Sequence, residues 1–230
     1  TKQAYVYVPA SYASDTPANV LYLTHGWWGN AAGLADGVAP VVDELETAGK
    51  AAPTLVVFAT YYPDRSFATD DYEEDYTLNR FFATGEIDTL IDAVESRYTT
   101  FARGDTSDQS LRASRRHRAF GGFSMGATTT WDVFALRPQY FYGYMPMAGE
   151  SWIGREEDAD SPRIAELVTA GVERAHYGPR DFLILASVGS QDPALWDMTP
   201  QTDELREDHP APATEDSSQL WPGPGETHSM

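Results

Sequence analysis

Short apolar runs and stretches with helical spacing alternate along the chain. Thr54–Ala59 is a continuous apolar run, as expected for a strand that is buried on both faces of a sheet. Ile87, Leu90, Ile91 and Val94 recur at intervals of three and four residues, which predicts an amphipathic helix. Further strands are predicted at residues 5–8, 20–24, 117–121, 142–148 and 182–187.

Helical segments lie between most of these strands. They are predicted at residues 34–48, 127–137 and 164–172, and Gly49 and Pro138 end the first two. Strands that alternate with helices indicate a mainly parallel sheet with helices on both faces. Because no internal repeat or second unit is evident in 230 residues, we expect one doubly wound α/β domain over residues 1–230.

The chain is strongly acidic, with 35 Asp and Glu against 16 Lys and Arg and a formal net charge of −19. Such a surface repels phosphate backbones and anionic lipids, so nucleic-acid and membrane partners are not expected. No apolar run approaches the ~20 residues that span a bilayer. The absence of cysteine excludes disulfides, thiolate metal sites and a cysteine nucleophile. Composition leaves the oligomeric state open.

The motif G-x-S-x-G occupies residues 122–126, after a predicted strand and before a predicted helix. A serine hydroxyl is a weak nucleophile, so an enzyme must expose it, deprotonate it and stabilise the resulting oxyanion. A sharp strand-to-helix turn exposes the Oγ and directs free N–H groups at the developing negative charge. Gly122 and Gly126 suit such a turn because side chains there would collide across it. This context predicts that Ser124 is a nucleophile rather than part of a glycine-rich structural turn.

A serine nucleophile needs an orienting carboxylate, which follows the serine in α/β-hydrolases and precedes the histidine. Asp192 lies in the loop after the predicted strand at 182–187, where such an acid belongs. Asp197 lies further along that loop, and Asp203 lies in a predicted helix. We therefore expect Asp192 to be the acid, with the other two as weaker candidates.

The histidine base should follow this acid, and only His209 and His228 do so. His209 lies beside Pro210 in a polar linker. His228 lies in a loop whose glycines allow an imidazole to reach back to the serine. We therefore expect His228 to be the base, the alternative being a tail residue without function.

Two backbone N–H groups are needed to hold the oxyanion. The N–H of Met125, directly after the serine, is one candidate. The other is expected in the loop after the second predicted strand, where Gly26 lets the chain turn inward and the N–H of Trp27 is the candidate donor. His25 is expected to have a structural, hydrogen-bonding role. Trp27 and Trp28 either line a substrate pocket or pack in the interior.

Several segments together resemble the feruloyl esterase branch of carbohydrate esterase family one, whose wider relatives include esterase D and the mycolyltransferases. The loop at 20–30 is similar to the H-G-G-G-G-N loop of this family. The other matching segments are 5–12, 48–53, 72–75, 118–126, 145–152, 189–192, 198–201 and, more weakly, 224–228. Several motifs in the same order are more specific than the serine motif alone.

The resemblance implies an α/β-hydrolase fold and a serine carboxylesterase with Ser124, Asp192 and His228 as its triad. It implies hydroxycinnamoyl esters on arabinoxylan, or related acyl-sugar esters, as substrates, so that an ester-substituted polysaccharide is the partner. No metal or organic cofactor is required. Trp28 and Trp152 are expected to contact substrate, with burial of Trp152 in the core as its alternative. Secretion is implied as well.

Two features depart from the pattern of the family. Trp27 and Trp28 replace two glycines of the loop, which we expect to narrow the acyl pocket and to change which ester fits. The strand before His228 is reduced to residues 219–221, and no helix follows it. We therefore expect a short or truncated C-terminal element, an exposed edge or face of the sheet, and a poorly anchored His228.

Three other functions stay open besides the hydrolysis of feruloyl esters. The first is hydrolysis of acetylxylan or another acyl-sugar ester, and the second is acyl transfer to a sugar, as in the mycolyltransferases. Both use the same serine chemistry, so the residues alone do not separate them. The third is a non-catalytic, carbohydrate-binding domain with an esterase fold, to which the weak C-terminal region gives support.

Overall fold

A computed structural model describes residues 2–207 and 213–229 of the chain. Its strands are β1 (Tyr5–Tyr7), β2 (Asn19–Thr24), β3 (Thr54–Ala59), β4 (Arg118–Phe123), β5 (Gly143–Met147), β6 (Leu183–Gly189) and β7 (Ser218–Gly223). They form one sheet in the order β1-β3-β2-β4-β5-β6-β7. β1 is antiparallel to β3, and the other neighbouring strands are parallel. The prediction of a mainly parallel sheet is confirmed.

Helices lie on both faces of this sheet. They are α1 (Ala31–Thr47), α2 (Tyr76–Phe81), α3 (Ile87–Glu95), α4 (Asp108–Ala113), α5 (Met125–Leu136), α6 (Ser161–Arg174) and α7 (Leu195–Glu207), with a π-helical turn at Phe82–Glu86 between α2 and α3. α1 packs on β1 and β3. On the other face, α5 packs on β4 and β5 and against α6, which in turn contacts α7. The doubly wound arrangement is therefore as expected.

Local chemistry explains where the predicted elements begin and end. α1 begins at Ala31, earlier than predicted, because the side chain of Asn30 caps it by accepting a hydrogen bond from the N–H of Gly33 at 2.9 Å. β3 has the predicted bounds, and its last five residues are buried. The candidate His209 lies outside the described residues.

The strand order reverses at β2, which has β3 on one side and β4 on the other. At such a reversal the connections leave on opposite faces of the sheet, so a crevice forms at the carboxyl ends of the strands. Thr24 ends β2 and Phe123 ends β4 at this edge. The loop with Trp27 and the turn with Ser124 therefore emerge side by side.

A buried ion pair fixes the beginning of β4 against the end of α3. Arg118 donates to both carboxylate oxygens of Glu95, at 2.6 and 2.9 Å, and both residues are buried. The hydroxyls of Tyr22 and Thr100 also donate to Glu95, at 3.0 and 2.9 Å. A buried ion pair is tolerated when its remaining hydrogen-bonding capacity is satisfied, as it is here. This network anchors the strand that carries the serine.

On the α1 face, the sheet is uncovered at β6 and β7 within the described residues. Leu185 is 41% exposed and Trp221 is 62% exposed, because α1 lies over the opposite edge. The expected exposed face is therefore present. β7 is longer than predicted, since it pairs with β6 over residues 218–223. No helix among the described residues is long and apolar enough to cross a membrane.

Candidate active site

Ser124 lies at the sharp turn between β4 and α5. Its φ of 56° and ψ of −118° fall in a region that residues with a side chain rarely adopt. Hydrogen bonds hold this strained backbone on both sides. The N–H of Ser124 donates to the carbonyl of Met147 at 2.8 Å, and its carbonyl accepts from Ala127 and Thr128 at 2.8 and 3.2 Å. The turn is the nucleophile elbow that the motif predicts.

Close backbone contacts across this turn require glycine at two positions. A Cβ on Gly122 would lie 2.4 Å from the carbonyl oxygen of Gly126. A Cβ on Gly126 would lie 2.4 Å from the carbonyl oxygen of Thr24, at the end of β2. Both distances are far inside van der Waals contact, so a side chain at either position would force the backbone to move. The predicted collision across the turn is confirmed, and it extends to the neighbouring strand.

The structure places His228 within hydrogen-bond distance of both Ser124 and Asp192, the other two residues predicted for the triad. Nε2 of His228 lies 3.0 Å from Oγ of Ser124. Nδ1 of His228 lies 2.9 and 3.1 Å from the two carboxylate oxygens of Asp192. Asp192 is buried in the loop between β6 and α7, where it also accepts from the N–H of Ala194 at 2.9 Å. The carboxylate is therefore fixed, and it fixes the plane of the imidazole.

The loop that carries His228 is tied to the loop between β6 and α7. The N–H of Gln191 donates to the carbonyl of Glu226 at 2.9 Å, and the N–H of Gly225 donates to Oγ of Ser190 at 2.8 Å. The expectation of a poorly anchored His228 is therefore wrong. These hydrogen bonds between the two loops hold the His228 loop in place without a covering helix. The side chain is still 44% exposed, so substrate and water can reach it.

The two backbone donors predicted for the oxyanion lie beside Ser124. Met125 is the first residue of α5, so its N–H has no acceptor within the helix. The N–H of Trp27 makes no hydrogen bond to the described residues. Gly26 brings this loop against the serine, since a Cβ there would lie 3.2 Å from the Cβ of Ser124. Met125 and the loop that carries Trp27 therefore adjoin Ser124, and the N–H of Trp27 is unused among the described residues.

His25 lies buried beneath this loop. Its Nδ1 is 2.8 Å from the carbonyl oxygen of Gly26, and its Nε2 is 2.7 Å from the hydroxyl of Thr60. Because a carbonyl can only accept, Nδ1 carries the proton and Nε2 accepts from the hydroxyl. Burial disfavours the imidazolium and lowers the pKa of His25 to about 4. A neutral imidazole with both nitrogens occupied fits the structural role expected of it.

A row of aromatic rings borders the site, from the loop after β2 to the loop after β5. Neighbouring ring centroids are 5.8 Å apart for Trp28 and Trp27, 5.6 Å for Trp27 and Tyr72, and 5.6 Å for Tyr72 and Trp152. Tyr76 contacts Trp152 edge-on at 5.5 Å. Trp28 is exposed and Trp152 is half-buried, so both are accessible at the edge of the site rather than sealed in the core.

Next to Trp152 the surface opens into a cavity of about 640 Å³. Its lining includes Tyr72, Glu150, Asp197 and Gln201. Glu150 is half-buried and accepts a hydrogen bond from Nε1 of Trp152 at 2.6 Å. Burial raises the pKa of Glu150, and the charge of the nearby Asp197 raises it further. The cavity therefore combines hydrogen-bonding groups with Trp152, over whose ring the guanidinium of Arg155 lies at 4.7 Å.

Hydrophobic patterning does not identify Tyr72, Glu150 or Gln201, because their surroundings arise from separate loops. The only signal is that all three lie in segments of the family resemblance. Asp197 and Asp203, the weaker candidates for the acid, lie in α7, and Asp197 lines the cavity. Within residues 2–207 and 213–229, no cluster of three or more His, Asp or Glu side chains could hold a metal ion.

The chain is similar to known esterases over almost its whole length. It is 30% identical over 235 residues to endo-1,4-beta-xylanase Y of Acetivibrio thermocellus, which matches 99% of this chain and 20% of the xylanase. The chain thus spans about a fifth of the length of this curated relative. A serine-to-alanine mutant of the feruloyl esterase module from Clostridium thermocellum, complexed with sinapinate, matches at a TM-score of 0.81 and 28% identity. That match covers 99% of this chain and 77% of the module. The chain is therefore similar in sequence and in structure to a feruloyl esterase module.

The resemblance inferred from the sequence motifs is therefore confirmed, although no protein-family model matches the chain. More distant structures share the fold of these feruloyl esterase relatives. A ferulic acid esterase from Anaeromyces mucronatus, in complex with ferulic acid, has a TM-score of 0.70 and 18% identity, covering 100% of this chain and 79% of that one. The S-formylglutathione hydrolase of Staphylococcus aureus has a TM-score of 0.60 and 16% identity, covering 98% and 86%. The predicted α/β-hydrolase fold is confirmed.

Proposed function

We propose that the chain is a serine carboxylesterase that hydrolyses hydroxycinnamoyl esters of plant cell-wall polysaccharide, such as feruloylated arabinoxylan. The observation that carries the proposal is the hydrogen-bonded series of Ser124, His228 and Asp192 at a strained elbow. Kinship with the feruloyl esterase modules supports the choice of ester. We assign the activity to a single α/β-hydrolase domain.

The first half of the reaction acylates the serine. His228 accepts the hydroxyl proton of Ser124 through Nε2 while Oγ attacks the carbonyl carbon of the ester. Asp192 accepts from Nδ1–H and stabilises the imidazolium that forms. The carbonyl oxygen becomes an oxyanion, to which the N–H groups of Met125 and Trp27 donate. When the oxyanion collapses, the bond to the alcohol oxygen breaks and the alcohol takes the proton from His228.

The second half releases the acid. His228 removes a proton from a water molecule as that water attacks the acyl carbon, and a second oxyanion forms in the same place. Its collapse breaks the bond to Oγ of Ser124, which recovers the proton from His228. The sum is ester and water converted to carboxylic acid and alcohol, without a metal or organic cofactor. The exposure of the imidazole is consistent with entry of water.

The kind of ester follows from the relatives and from the walls of the site. The solved feruloyl esterase module contains sinapinate, the ferulic acid esterase from Anaeromyces mucronatus contains ferulic acid, and the sequence relative is a xylanase. In this chain, Trp27, Tyr72 and Trp152 offer flat apolar surfaces to a hydroxycinnamoyl or sugar ring. The acidic surface suits a neutral polysaccharide. Action outside the cell stays a prediction from the resemblance.

A panel of methyl ferulate, p-coumarate, sinapate and acetate esters, together with acetylated xylan, tests the proposal. We expect hydrolysis of the hydroxycinnamates and little hydrolysis of the acetates. Activity on acetates alone would replace the feruloyl assignment and leave the serine mechanism in place. Acyl transfer to an added sugar in preference to water would make the chain a transferase. If no ester is cleaved and an organophosphonate does not label Ser124, the chain is a binding domain.

A further inference from the structure

Two buried polar side chains, Tyr61 and Asn79, contact the segments that carry the proposed oxyanion donors. Tyr61 lies two residues after the end of β3, and Asn79 lies in α2. Both side chains are completely buried. They belong to parts of the chain other than the loop after β2 and the serine turn, so they can hold these two segments in place from outside.

Tyr61 holds the loop that carries Trp27. Its hydroxyl donates to the carbonyl of His25 at 3.0 Å. Its ring also packs against the imidazole of His25, with the ring centroids 4.8 Å apart. The peptide group that carries the N–H of Trp27 is the next one along the chain after the peptide group with this carbonyl. Because peptide groups are planar and only two dihedrals separate them, fixing the carbonyl restricts the direction of the next N–H.

Asn79 holds the first residue of α5. Its Nδ2 donates to the carbonyl of Met125 at 2.9 Å and to Oγ1 of Thr129 at 2.7 Å. The hydroxyl of Thr129 donates in turn to the carbonyl of Met125 at 3.1 Å. Since Met125 also carries the first proposed oxyanion donor, these contacts fix the residue on which that N–H lies.

The two contacts belong to one buried cluster. Burial raises the pKa of Tyr61 well above its usual range, and the side chain of Asn79, which adjoins the Tyr61 hydroxyl, opposes that rise by hydrogen bonding to it. The carbonyls of His25 and Met125 are therefore held by neighbouring groups. A common support for both segments keeps the distance between the two donors constant.

The fold alone does not account for an asparagine at position 79. Oδ1 of Asn79 is buried and has no hydrogen-bond partner among the described residues. A buried acceptor without a donor is destabilising, and an apolar side chain of the same size would avoid this cost. Side chains that break such a rule of packing are expected at functional sites.

We propose that Tyr61 and Asn79 are positioning residues, which hold the N–H groups of Trp27 and Met125 at the spacing that an oxyanion requires. They act through the backbone rather than on the substrate. The inference rests on the proposed esterase function and adds to it the residues that set the geometry of its two donors. The effect on rate is large for a small movement, since a misplacement of about 1 Å can cost about 10² in rate.

Tyr61→Phe and Asn79→Leu test the proposal, because each removes the hydrogen-bonding group and keeps the approximate shape of the side chain. We expect each variant to lower kcat for methyl ferulate by about tenfold and to leave KM unchanged, since the contacts with the oxyanion strengthen in the transition state. Thermal unfolding checks that each variant folds. If Asn79→Leu does not fold, Tyr61→Phe, the smaller change, decides.

Phenylboronic acid supplies a second measurement that does not depend on turnover. Oγ of Ser124 adds to the boron atom, and the hydroxyl proton passes to His228. The tetrahedral adduct carries a negative charge that the same two N–H groups stabilise, as they would stabilise the oxyanion. We expect each variant to raise the dissociation constant of the boronate by about the factor by which it lowers kcat.

Two matched controls lose the same kind of buried contact elsewhere. Tyr144→Phe removes a buried hydroxyl that donates to the carbonyl of Phe141 at 3.2 Å. Thr169→Val removes a buried hydroxyl in α6 that donates to the carbonyl of Ala165 at 2.8 Å. Neither hydrogen bond involves the serine turn or the loop after β2, so kcat and boronate binding should match those of the native chain.

An unchanged kcat in either folded variant would overturn the inference. So would a rise in KM alone, or a loss of kcat with unchanged boronate binding, because the side chains would then shape another part of the site. If the native chain cleaves no ester, the proposed function fails, and boronate binding still decides the role of Tyr61 and Asn79. A native chain that does not bind the boronate has no oxyanion site, which overturns both.

Discussion

Nε2 of His228 lies 3.0 Å from Oγ of Ser124, although 104 positions separate the two residues in the sequence. The serine follows β4 and the histidine follows β7, with β5 and β6 between them in the sheet. The imidazole therefore reaches back across the carboxyl edge of two strands. The hydrogen bonds of Gln191 and Gly225 hold the loop in this position. The contact between His228 and Ser124 thus depends on how the loops at the carboxyl edge of the sheet are held together.

Ser124→Ala removes the proposed nucleophile and leaves the backbone hydrogen bonds of Ser124 to Met147, Ala127 and Thr128 in place. We expect kcat for methyl ferulate to fall by roughly 10⁴ to 10⁶, which is typical for loss of a serine nucleophile. The unfolding midpoint should stay close to that of the native chain. Ser96→Ala, at the exposed end of α3, is the matched control and should keep full activity. Retained hydrolysis in Ser124→Ala would exclude the serine mechanism.

Asp192→Asn tests the role of the buried carboxylate. The amide would present an N–H group to Nδ1 of His228 and so favour the tautomer that cannot accept the serine proton. We expect kcat to fall by about 10⁴ while KM changes little. Asp203→Asn is the control, since Asp203 is exposed in α7 and lies 3.8 Å from Arg206. Comparable losses in both variants would point to surface charge rather than to orientation of the imidazole.

Sequence patterns predict those elements of the fold that are determined by residues adjacent in the chain. β3 could be predicted because a strand buried on both faces needs a continuous apolar run, and Thr54–Ala59 provides one. The elbow could be predicted because its strand, turn and helix are encoded in consecutive residues around Ser124. The bounds of β7 are harder to predict. Gln219 and the apolar Trp221 both face solvent on the uncovered side of the sheet, so β7 lacks the alternation of apolar and polar residues that marks a strand.

Contacts between loops that are distant in the sequence cannot be predicted from such patterns. The anchoring of His228 depends on hydrogen bonds to a loop more than thirty residues earlier, such as that between Gly225 and Ser190. The orientation of the Gln201 amide is likewise fixed by another loop, through the N–H of Ser151, and its Nε2 has no hydrogen-bond partner among the described residues. The family resemblance points to these segments but assigns these residues no role.

Glu95→Gln should destabilise the fold strongly. The substitution keeps the shape of the side chain but leaves Arg118 as a buried cation without a counter-charge. We expect the free energy of unfolding, measured by urea titration, to fall by about 3–5 kcal/mol. The loss is expected to be large because the pair is buried and because the hydroxyls of Tyr22 and Thr100 also donate to this carboxylate.

The matched control is Glu166→Gln, which breaks an exposed ion pair with Arg163 at 2.7 Å. Both partners are largely in solvent, so we expect a change below about 1 kcal/mol. Similar losses for Glu95→Gln and Glu166→Gln would mean that the buried network contributes no more than a surface pair. Activity per folded molecule should be preserved in both variants, since neither side chain reaches the serine.

Asp132, in the middle of α5, makes a pH-dependent contribution to the free energy of unfolding. The residue is completely buried, accepts from the hydroxyl of Tyr76 at 3.0 Å, and lies 3.6 Å from Arg80. Burial raises the pKa of Asp132 from 3.8 to about 7, and Arg80 and Tyr76 oppose this shift only in part. Between these two values the folded state holds a proton that the unfolded state has released.

The contribution of Asp132 to the free energy of unfolding should therefore fall as the pH rises from about 4 to about 7 and level off above that. The full span of this contribution is on the order of 4 kcal/mol, at 1.36 kcal/mol per pH unit. Asp132→Asn keeps an acceptor for Tyr76 and cannot ionise, so we expect it to gain stability relative to the native chain as the pH rises through this range. Urea titrations at pH 4.5, 5.5, 6.5 and 7.5 measure the difference. Val133→Ala, a buried change on the same helix that does not titrate, should shift the native curve by a constant amount. A constant difference between Asp132→Asn and the native chain at all four pH values would show that Asp132 is ionised in the fold.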